Sequence, residues 1–362
     1  MKILDWYILK RYLVTFLFTL LILIPIAIAI DIAEKIDNFL ANEDLSFFTV
    51  IDEYYKNFVI YYSNTFMPLA LFIAVILFTS KLASNTEIVA MINARISFTR
   101  LLYPYFIGAT LITIFAILMN HFVVPNSNKV RKEFEKAYIH KYKRNQYKYV
   151  NNFSLQLNDS TYIYVKSFNL HNNLGSHFSI EGYDGVELKS KLYSDQIKWI
   201  EKDSTFKLTN CKIRLLHSKR DSIQYFYNID TTFAFTPKDL MYKSTLAQEL
   251  PSYELTKFID LSRERGVKNL NSHLVELYKR TSLPMSSYIL TLIAVALAFR
   301  KKRGGVGVNL ALGIGIMFLY VFFLKVAEVL GSVAGSSPLI YVWVPNLLFG
   351  FLALYLYYNA RK

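Results

Sequence analysis

Cysteine is almost absent from this 362-residue chain, in which the single thiol is Cys211. One cysteine excludes an internal disulfide and a multi-cysteine metal site. The chain also lacks the GxxxxGKS/T phosphate loop and the HExxH zinc motif, and its six histidines fall at no metal-ligand spacing. The serine within 331–335 stands at the wrong position for a GxSxG nucleophile elbow. The sequence therefore predicts no catalytic residue, no metal site and no cofactor held by this chain, and nothing supports an enzyme.

Long apolar runs are what the chain has in abundance. Hydrophobic residues make up 53% of it, and they are pooled in uninterrupted blocks of roughly 18 to 25 residues. A helix of that length crosses the ~30 Å hydrocarbon core of a bilayer, whereas a soluble protein scatters its apolar residues at helical or strand periods. We therefore expect an α-helical membrane protein with six transmembrane helices. The predicted spans are 12–30, 58–79, 101–124, 282–299, 306–330 and 339–358.

Positive charge in the short loops sets the expected orientation, because lysine and arginine in such loops stay in the cytoplasm. Basic residues precede span 1, separate spans 2 and 3 and spans 4 and 5, and close the chain, so both termini are expected in the cytoplasm. A further basic stretch, 129–148, falls on the opposite side, but long translocated segments escape the rule. The basic residues in the short segments are Lys2, Lys10, Arg11, Lys81, Arg95, Arg100, Arg300, Lys301, Lys302, Arg303, Arg361 and Lys362.

Span 1 also has features of a cleavable signal peptide. A basic start and an apolar core lead to Pro25 and then to 27–29, an Ala-Ile-Ala sequence that a signal peptidase could cut. The apolar run is long for a signal peptide, so we expect a retained span; cleavage would leave five spans.

The region between spans 3 and 4 has a β pattern. Short alternating segments are separated by turn clusters such as 158–160, 172–175 and 182–185, which is typical of a small sandwich, jelly roll or barrel. The predicted strands are 153–157, 161–168, 177–181, 186–193, 196–200, 205–216 and 223–229. We divide the chain into 1–125 (spans 1–3), 126–275 (the periplasmic domain, with a β core at about 150–236) and 276–362 (spans 4–6).

Small and charged residues in the spans are candidates for packing and binding. Gly307, Ala311 and Gly315 recur every four residues in span 5, which allows close helix packing within the chain or against another subunit. In the same span, Lys325 and Glu328 can pair with each other, although charge inside a membrane also indicates function. Three further basic residues at predicted outer helix ends, Lys35, Lys279 and Arg280, could meet lipid phosphates, with snorkelling to headgroups as the simpler alternative.

An ordered set of motifs resembles the LptF/LptG (YjgP/YjgQ) permeases. The segment 68–97, centred on KLASNTEIVA at 81–90, is similar to the second span and cytoplasmic helix of that family. The resemblance covers both membrane halves in order and includes the β insert by position. In the second half it is carried by Glu254-Leu255 with Gly266, LYKRTSLP at 277–284, RGG at 303–305, Tyr320 and WVPN at 343–346.

The resemblance implies a membrane subunit of an ABC transporter in the bacterial inner membrane. Such permeases pair two six-span subunits around a cavity, bind a cytoplasmic LptB-type ATPase dimer that holds the ATP and Mg, and extract lipopolysaccharide. They pass it to LptC/LptA-type periplasmic jelly-roll proteins that lead to the outer membrane, and a jelly-roll-like β domain is implied here. A broad apolar pocket with a basic rim is expected. Export of another anionic lipid, or a membrane-anchored scaffold or sensor with a periplasmic β domain, remains an alternative.

The resemblance also implies roles for particular residues. The stretch 84–96 corresponds to the coupling helix that docks in the ATPase, which assigns Glu87 to that contact together with Ser84, Ile88 and Arg95. Two departures affect this carry-over. Arg95 stands where the family usually has glycine, so we expect a different turn into span 3. Glu34 precedes Lys35 where the family carries basic residues, which leaves the lipid contact of Lys35 open, and Arg280 is the preferred phosphate ligand.

Overall fold

A computed structural model of the chain describes residues 3–42, 45–139, 149–158, 160–201, 203–216, 220–233, 235–237, 244–264, 270–299 and 305–361. Several residues that the sequence analysis names, or that belong to its motifs and basic stretches, lie outside these ranges. They are Lys2, His140, Lys141, Lys143, Arg144, Lys148, His217, Gly266, Arg300, Lys301, Lys302, Arg303, Gly304 and Lys362.

Six helices within the described residues are long and apolar enough to cross a membrane, which confirms the predicted number of spans. They are span 1 (Ile3–Leu40), span 2 (Phe47–Ser84), span 3 (Phe98–Ile139), span 4 (Asn271–Ala298), span 5 (Val306–Gly331) and span 6 (Pro338–Arg361). Each extends beyond the apolar run that predicted it at one end or both. A bilayer core needs only about 20 apolar residues, so a run marks the part that crosses it and not where the helix ends.

The described residues also form shorter helices, which are the α-helices Glu87–Asn93 between spans 2 and 3 and Ser252–Glu264 before span 4, and the 3-10 helix Ser244–Gln248. Spans 2 and 3 also contain turns of π-helix, at Val50–Tyr55, Met119–Val123 and Glu135–Ile139. Such turns insert an extra residue into a helix and shift the faces that follow it.

By its internal contacts the chain separates into two compact units. One comprises Met1–Ile139, Ala247–Thr256 and Asn271–Lys362; the other comprises His140–Leu246 and Lys257–Leu270. The division at residues 126 and 275 that the sequence suggests stays a prediction. We call the end of the spans at which the chain leaves span 3 and returns to span 4 the insert end.

The membrane unit is built around span 2, of which the most apolar window is 72% buried, against 17% for span 1 and 22% for span 5. Its core contains Leu71, Phe72 and Ile76 of span 2 with Tyr105 of span 3, all without solvent exposure. Polar side chains inside the bundle pair with each other, as membrane interiors require. The Tyr105 hydroxyl, for example, lies 2.9 Å from Thr79 Oγ1.

The second unit holds one six-stranded antiparallel sheet in which neighbours in sequence are neighbours in space. This confirms the predicted all-β region between spans 3 and 4. The strands are β1 (Tyr149–Asn158), β2 (Thr161–Asn169), β3 (Leu174–Asp184), β4 (Glu187–Ile200), β5 (Thr205–Leu215) and β6 (Ser222–Thr231). The two-residue turn Gly185-Val186 joins β3 to β4, with Gly185 at φ 61°, a left-handed conformation that glycine adopts without strain.

The division of residues 186–200 into two predicted strands is wrong. They form one strand, β4, because the polar pair in its middle is not a turn. Ser194 is fully buried, and its hydroxyl is 2.8 Å from the Gln196 carbonyl oxygen and 2.7 Å from that of Thr209 on β5. A buried hydroxyl that bonds to the neighbouring strand satisfies its own polar group inside the sheet.

One face of the sheet is buried in an apolar cluster that draws on all of strands β1 to β5. Phe178 of β3 and Phe206 of β5 are fully buried, although β4 separates their strands. Phe233 and Phe235, which follow β6, pack against both rings at centroid distances of 4.8–6.5 Å. The chain after β6 therefore crosses the apolar face and covers it.

Candidate functional site

A cavity of about 420 Å³ lies between spans 2, 3, 4 and 5, in the half of the bundle nearer the insert end. Its wall is largely apolar, and charged side chains stand on spans 4 and 5. The lining residues are Tyr61, Asn64, Thr65, Phe66, Pro68, Leu69, Asn120, Val124, Pro125, Gln248, Glu276, Lys279, Arg280, Leu283, Ile314, Met317, Phe318, Tyr320, Val321, Leu324, Lys325 and Glu328.

Helical spacing places these side chains on one face of each span. On span 5 the lining residues recur every three or four positions, through Met317, Val321, Leu324 and Glu328. Residues at that spacing share one face of an α-helix. A volume of this size falls within the range of small-molecule and cofactor sites, and the apolar wall suits a hydrocarbon ligand.

Lys279 and Lys325 both line the cavity, and both form ion pairs with the same carboxylate. The Glu328 carboxylate is 2.9 Å from Lys325 Nζ and 3.4 Å from Lys279 Nζ. Lys279 also pairs with Glu276 one helical turn earlier, at 2.9 Å. The pairing of Lys325 with Glu328 follows the sequence expectation, while the link from Glu328 to span 4 was not foreseen.

Arg280 lines the cavity, but its guanidinium is hydrogen-bonded mainly to the protein backbone. The residue is 3% exposed. Its guanidinium donates to the carbonyl oxygens of Ala247 and Leu250, at 2.7 and 2.8 Å, and to Ser252 Oγ at 2.8 Å. These bonds satisfy backbone carbonyl oxygens at the end of the segment that leads into the helix Ser252–Glu264. Arg280 therefore anchors this segment to span 4, and its side chain does not stand ready as a phosphate ligand in this state.

An amide pair in the cavity wall was missed by sequence reasoning. Asn64 of span 2 donates from Nδ2 to Asn120 Oδ1 of span 3 at 2.8 Å, and Asn64 is 6% exposed. Asn120 belongs to the π-helical turn Met119–Val123. The available signal was an asparagine inside an apolar run in each of two successive spans, because amides in membrane helices pair across helices.

The short helix Glu87–Asn93 lies at the end of the bundle opposite the insert end. Glu87 Oε2 accepts a hydrogen bond of 3.0 Å from the Tyr7 hydroxyl of span 1. Ile88 is 2% exposed and fixes the helix to the bundle, while Val89 and Ile92 are 50% and 47% exposed. The helix therefore presents two apolar side chains and the edge of a carboxylate outward.

Ser84 and Arg95 flank this helix. The Ser84 hydroxyl donates to the Lys81 carbonyl oxygen at 2.9 Å and so caps the last turn of span 2. Arg95 has φ 58°, the left-handed conformation that glycine adopts most readily. The turn into span 3 therefore has a backbone that glycine would favour, despite the arginine.

Comparison with known families matches residues 6–359 to the family described as Lipopolysaccharide export system permease LptF/LptG. The chain belongs to this family. No curated protein matches it. An LptF/LptG chain is a permease subunit of the lipopolysaccharide export transporter, and the six apolar helices fit a multi-pass inner membrane protein.

Two residues of the LptF/LptG resemblance hold the bundle together. The Tyr320 hydroxyl of span 5 donates to Asn346 Oδ1 of span 6 at 2.8 Å. Asn346 Nδ2 in turn donates to the Ser282 carbonyl oxygen of span 4 at 2.7 Å. All three residues are fully or almost fully buried. These polar positions therefore tie three spans of the permease together.

Lys35, the fourth lipid candidate, lies in a separate cluster and does not line the cavity. Lys35 Nζ is 2.6 Å from Asp31 on span 1 and 3.4 Å from Glu135 on span 3, and it also bonds to the Tyr54 hydroxyl. Arg131 binds Glu135 at 2.7 Å from the other side. The part of the basic stretch that the structure describes thus contributes to a network of ion pairs.

The small-residue face of span 5 is open in the LptF/LptG chain. A Cβ atom added at Gly307 or Gly315 would meet no atom within 4 Å, and Ala311 between them is also exposed. At Gly313, by contrast, an added Cβ would lie 2.2 Å from Ile76. Gly313 therefore serves packing inside the chain, whereas the stripe of Gly307, Ala311 and Gly315 faces outward.

Proposed function

We propose that this permease takes up lipopolysaccharide in the cavity between spans 2 and 5 and passes it towards a periplasmic bridge of β proteins. The observation that carries this proposal is the cavity itself. Its apolar wall fits acyl chains, and Lys279 and Lys325 stand at the charged side, where the phosphates of a glycolipid would lie. Within a family of lipopolysaccharide export permeases, a cavity of this chemistry is the natural place for the substrate.

Orientation supports the direction of transport. The basic short loops favour cytoplasmic termini, so the insert end lies at the periplasmic face. The cavity then opens at the depth of the outer leaflet, next to the point where the chain enters its β unit. Lipid that leaves the cavity on that side would be passed to LptC/LptA-type proteins in the periplasm.

The energy source in this proposal is a separate LptB-type ATPase dimer, which holds the ATP and Mg. Val89 and Ile92 of the helix Glu87–Asn93 offer an apolar contact surface on the cytoplasmic side. Glu87 lies beside them and can meet an arginine of the ATPase, since a carboxylate and a guanidinium form a strong charge-assisted pair. Closure of the ATPase would then move this helix and reshape the bundle around the lipid.

The experiment is purification of the full chain from its own cells in mild detergent, followed by mass spectrometry of the bound proteins and lipids. We expect an ATPase, a second LptF/LptG-type subunit and lipopolysaccharide. Recovery of a different anionic lipid would identify that lipid as the substrate in place of lipopolysaccharide. Recovery of periplasmic proteins without an ATPase would favour a scaffold.

A charge reversal tests the coupling helix. We expect Glu87→Arg to reduce the copurifying ATPase by roughly tenfold or more, because like charges would then face each other in the contact. Asp52→Arg is the control, since Asp52 is an exposed acid of span 2 at the insert end. A Glu87→Arg chain that keeps its full complement of ATPase and sustains export would contradict the assignment.

A further inference from the structure

The geometry points to Glu328 as an internal competitor for the lipid phosphate. In this inference, which rests on the proposed function, its carboxylate occupies Lys279 and Lys325 until a phosphate displaces it. Glu328 then determines how tightly the cavity holds a phosphorylated lipid and how readily it lets go.

The first step is that the lysines at the cavity are already paired. Glu328 contacts Lys325 at 2.9 Å and Lys279 at 3.4 Å, so one carboxylate joins spans 4 and 5 beside the cavity. Two ammonium groups that share one anion form the same arrangement that a phosphate group would need. The carboxylate therefore stands where the phosphate of a bound lipid would lie.

The second step is that this pairing can be exchanged. The side chains of Lys325 and Glu328 are 71% and 28% exposed, and partly solvated ion pairs are weak. Arg280 differs, because it is almost fully buried and its donors satisfy backbone carbonyl oxygens of the neighbouring segment. The side chain of Lys279 is also partly exposed, at 27%, so the exchangeable cations at this side of the cavity are Lys279 and Lys325.

The third step compares the two anions. A phosphate group carries more negative charge than a carboxylate and more acceptor oxygens, so it can displace Glu328 from both lysines. When the lipid moves on, Glu328 reoccupies the lysines and the phosphate cannot return unopposed. A transport site gains from such a competitor, because a site that binds its cargo too tightly would not release it.

The test compares Glu328→Gln with the unchanged protein, using the full chain with the subunits that copurify with it. Glutamine keeps the shape and the acceptor oxygen but removes the charge. Lys279 keeps Glu276 as a partner, so the variant leaves no buried lysine without an anion. The probes are purified lipopolysaccharide, the same lipopolysaccharide after enzymatic removal of its phosphates, and inorganic phosphate.

We expect Glu328→Gln to bind phosphorylated lipopolysaccharide roughly threefold or more tightly, as the loss of a partly solvated competitor allows. The dephosphorylated lipid should bind as before, and a second change, Lys325→Met, should abolish most of the gain. Glu53→Gln, an exposed change of the same charge outside the cavity, should have no effect.

Three outcomes would overturn the inference. The phosphorylated lipid could bind Glu328→Gln no more tightly, both lipids could gain equally, or inorganic phosphate could compete with the lipid at equal concentration, which would assign the site to free phosphate. Failure of the unchanged protein to bind either lipid is a separate result, because it would remove the proposed function and the inference together.

Discussion

Two residues beside the short helix between spans 2 and 3 have a left-handed backbone. Arg95 and Thr86 flank the helix Glu87–Asn93 with φ values of 58° and 63°. Arg95 takes the conformation that glycine takes freely, so its backbone is one that the family's usual glycine would also adopt without strain. A side chain in this region costs roughly 1 kcal/mol. The arginine also adds a positive charge beside the helix.

At the same scale, the ion pair of Glu181 and Lys191 should make the stability of the β unit depend on pH. They face each other across β3 and β4 at 2.6 Å. The hydrogen bond from Lys191 lowers the pKa of Glu181 below its ordinary value. A lowered carboxyl pKa contributes stability above the ordinary pKa of glutamate, and this contribution is lost as the pH falls through the lowered value.

Hydrogen exchange of the β3–β4 amides measures this effect. Protection should fall as the pH drops from about 6 to about 3, after correction for intrinsic exchange rates. Glu181→Gln should remove the part of that fall which belongs to this pair, below about 1 kcal/mol because both side chains are partly exposed. An unchanged pH profile in Glu181→Gln would refute the assignment.

The cavity residues could be predicted only in part, and for a physical reason. Lys279 and Lys325 stand out because charge in an apolar run is rare, and three-residue spacing predicts the Lys325–Glu328 pair. The partners of Arg280 could not be predicted, since two of them are backbone carbonyl oxygens and a carbonyl oxygen has no sequence signature. The Glu328–Lys279 pair depends on how spans 4 and 5 pack, which neither span encodes alone.

At the scale of elements, two polar contacts hold the first turns of span 1 at the end of the bundle opposite the insert end. Tyr7 donates to Glu87, and Asp5 binds Arg100 at the start of span 3 through two contacts of 2.7 and 2.8 Å. Asp5 is 2% exposed, so this pair is held firmly. A movement of the short helix would therefore be transmitted to span 1, which is the least covered span of the bundle.

Tyr7→Phe tests this transmission. The change removes one hydroxyl and leaves Glu87 in place, so ATPase binding should persist. We expect the transport rate per ATP hydrolysed, in reconstituted vesicles, to fall by about fivefold, the factor that corresponds to a hydrogen bond of ~1 kcal/mol. Tyr12→Phe is the control, because that hydroxyl bonds to Thr291 of span 4 and does not reach the short helix. Equal losses in both variants would indicate a packing effect and not coupling.

For the molecule as a whole, the six apolar runs and the β pattern were sufficient to predict the architecture. Bilayer thickness dictates the length of a span, so the length of each uninterrupted apolar run is enough to identify it. The order of the strands was not predictable, because alternation identifies a strand but not its neighbour. Sequence also left open whether the small residues of span 5 pack inside the chain. An added Cβ at Gly307 or Gly315 meets no atom of the described residues within 4 Å, so this stripe is free to contact lipid or another subunit.

A double change, Gly307→Leu with Gly315→Leu, tests that contact. Small residues let helix backbones approach closely in a membrane, and leucines at both positions would keep the partner helix away. Since no atom of the chain lies within 4 Å of either added Cβ, the subunit itself should fold normally. We expect a loss of roughly tenfold in the second LptF/LptG-type subunit that copurifies, measured by quantitative mass spectrometry.

The matched control is Gly350→Leu on span 6, where an added Cβ also meets no atom within 4 Å. It places the same side chain on another open face of the membrane unit. It therefore measures how a larger side chain on a lipid-facing surface changes the amount of the second subunit that copurifies. If both sets of changes leave the second subunit at its normal level, the stripe faces lipid and the partner binds elsewhere. If only the span 5 changes remove it, the uncovered face of span 5 is the place where two six-span subunits meet, and the cavity beside it lies close to that junction.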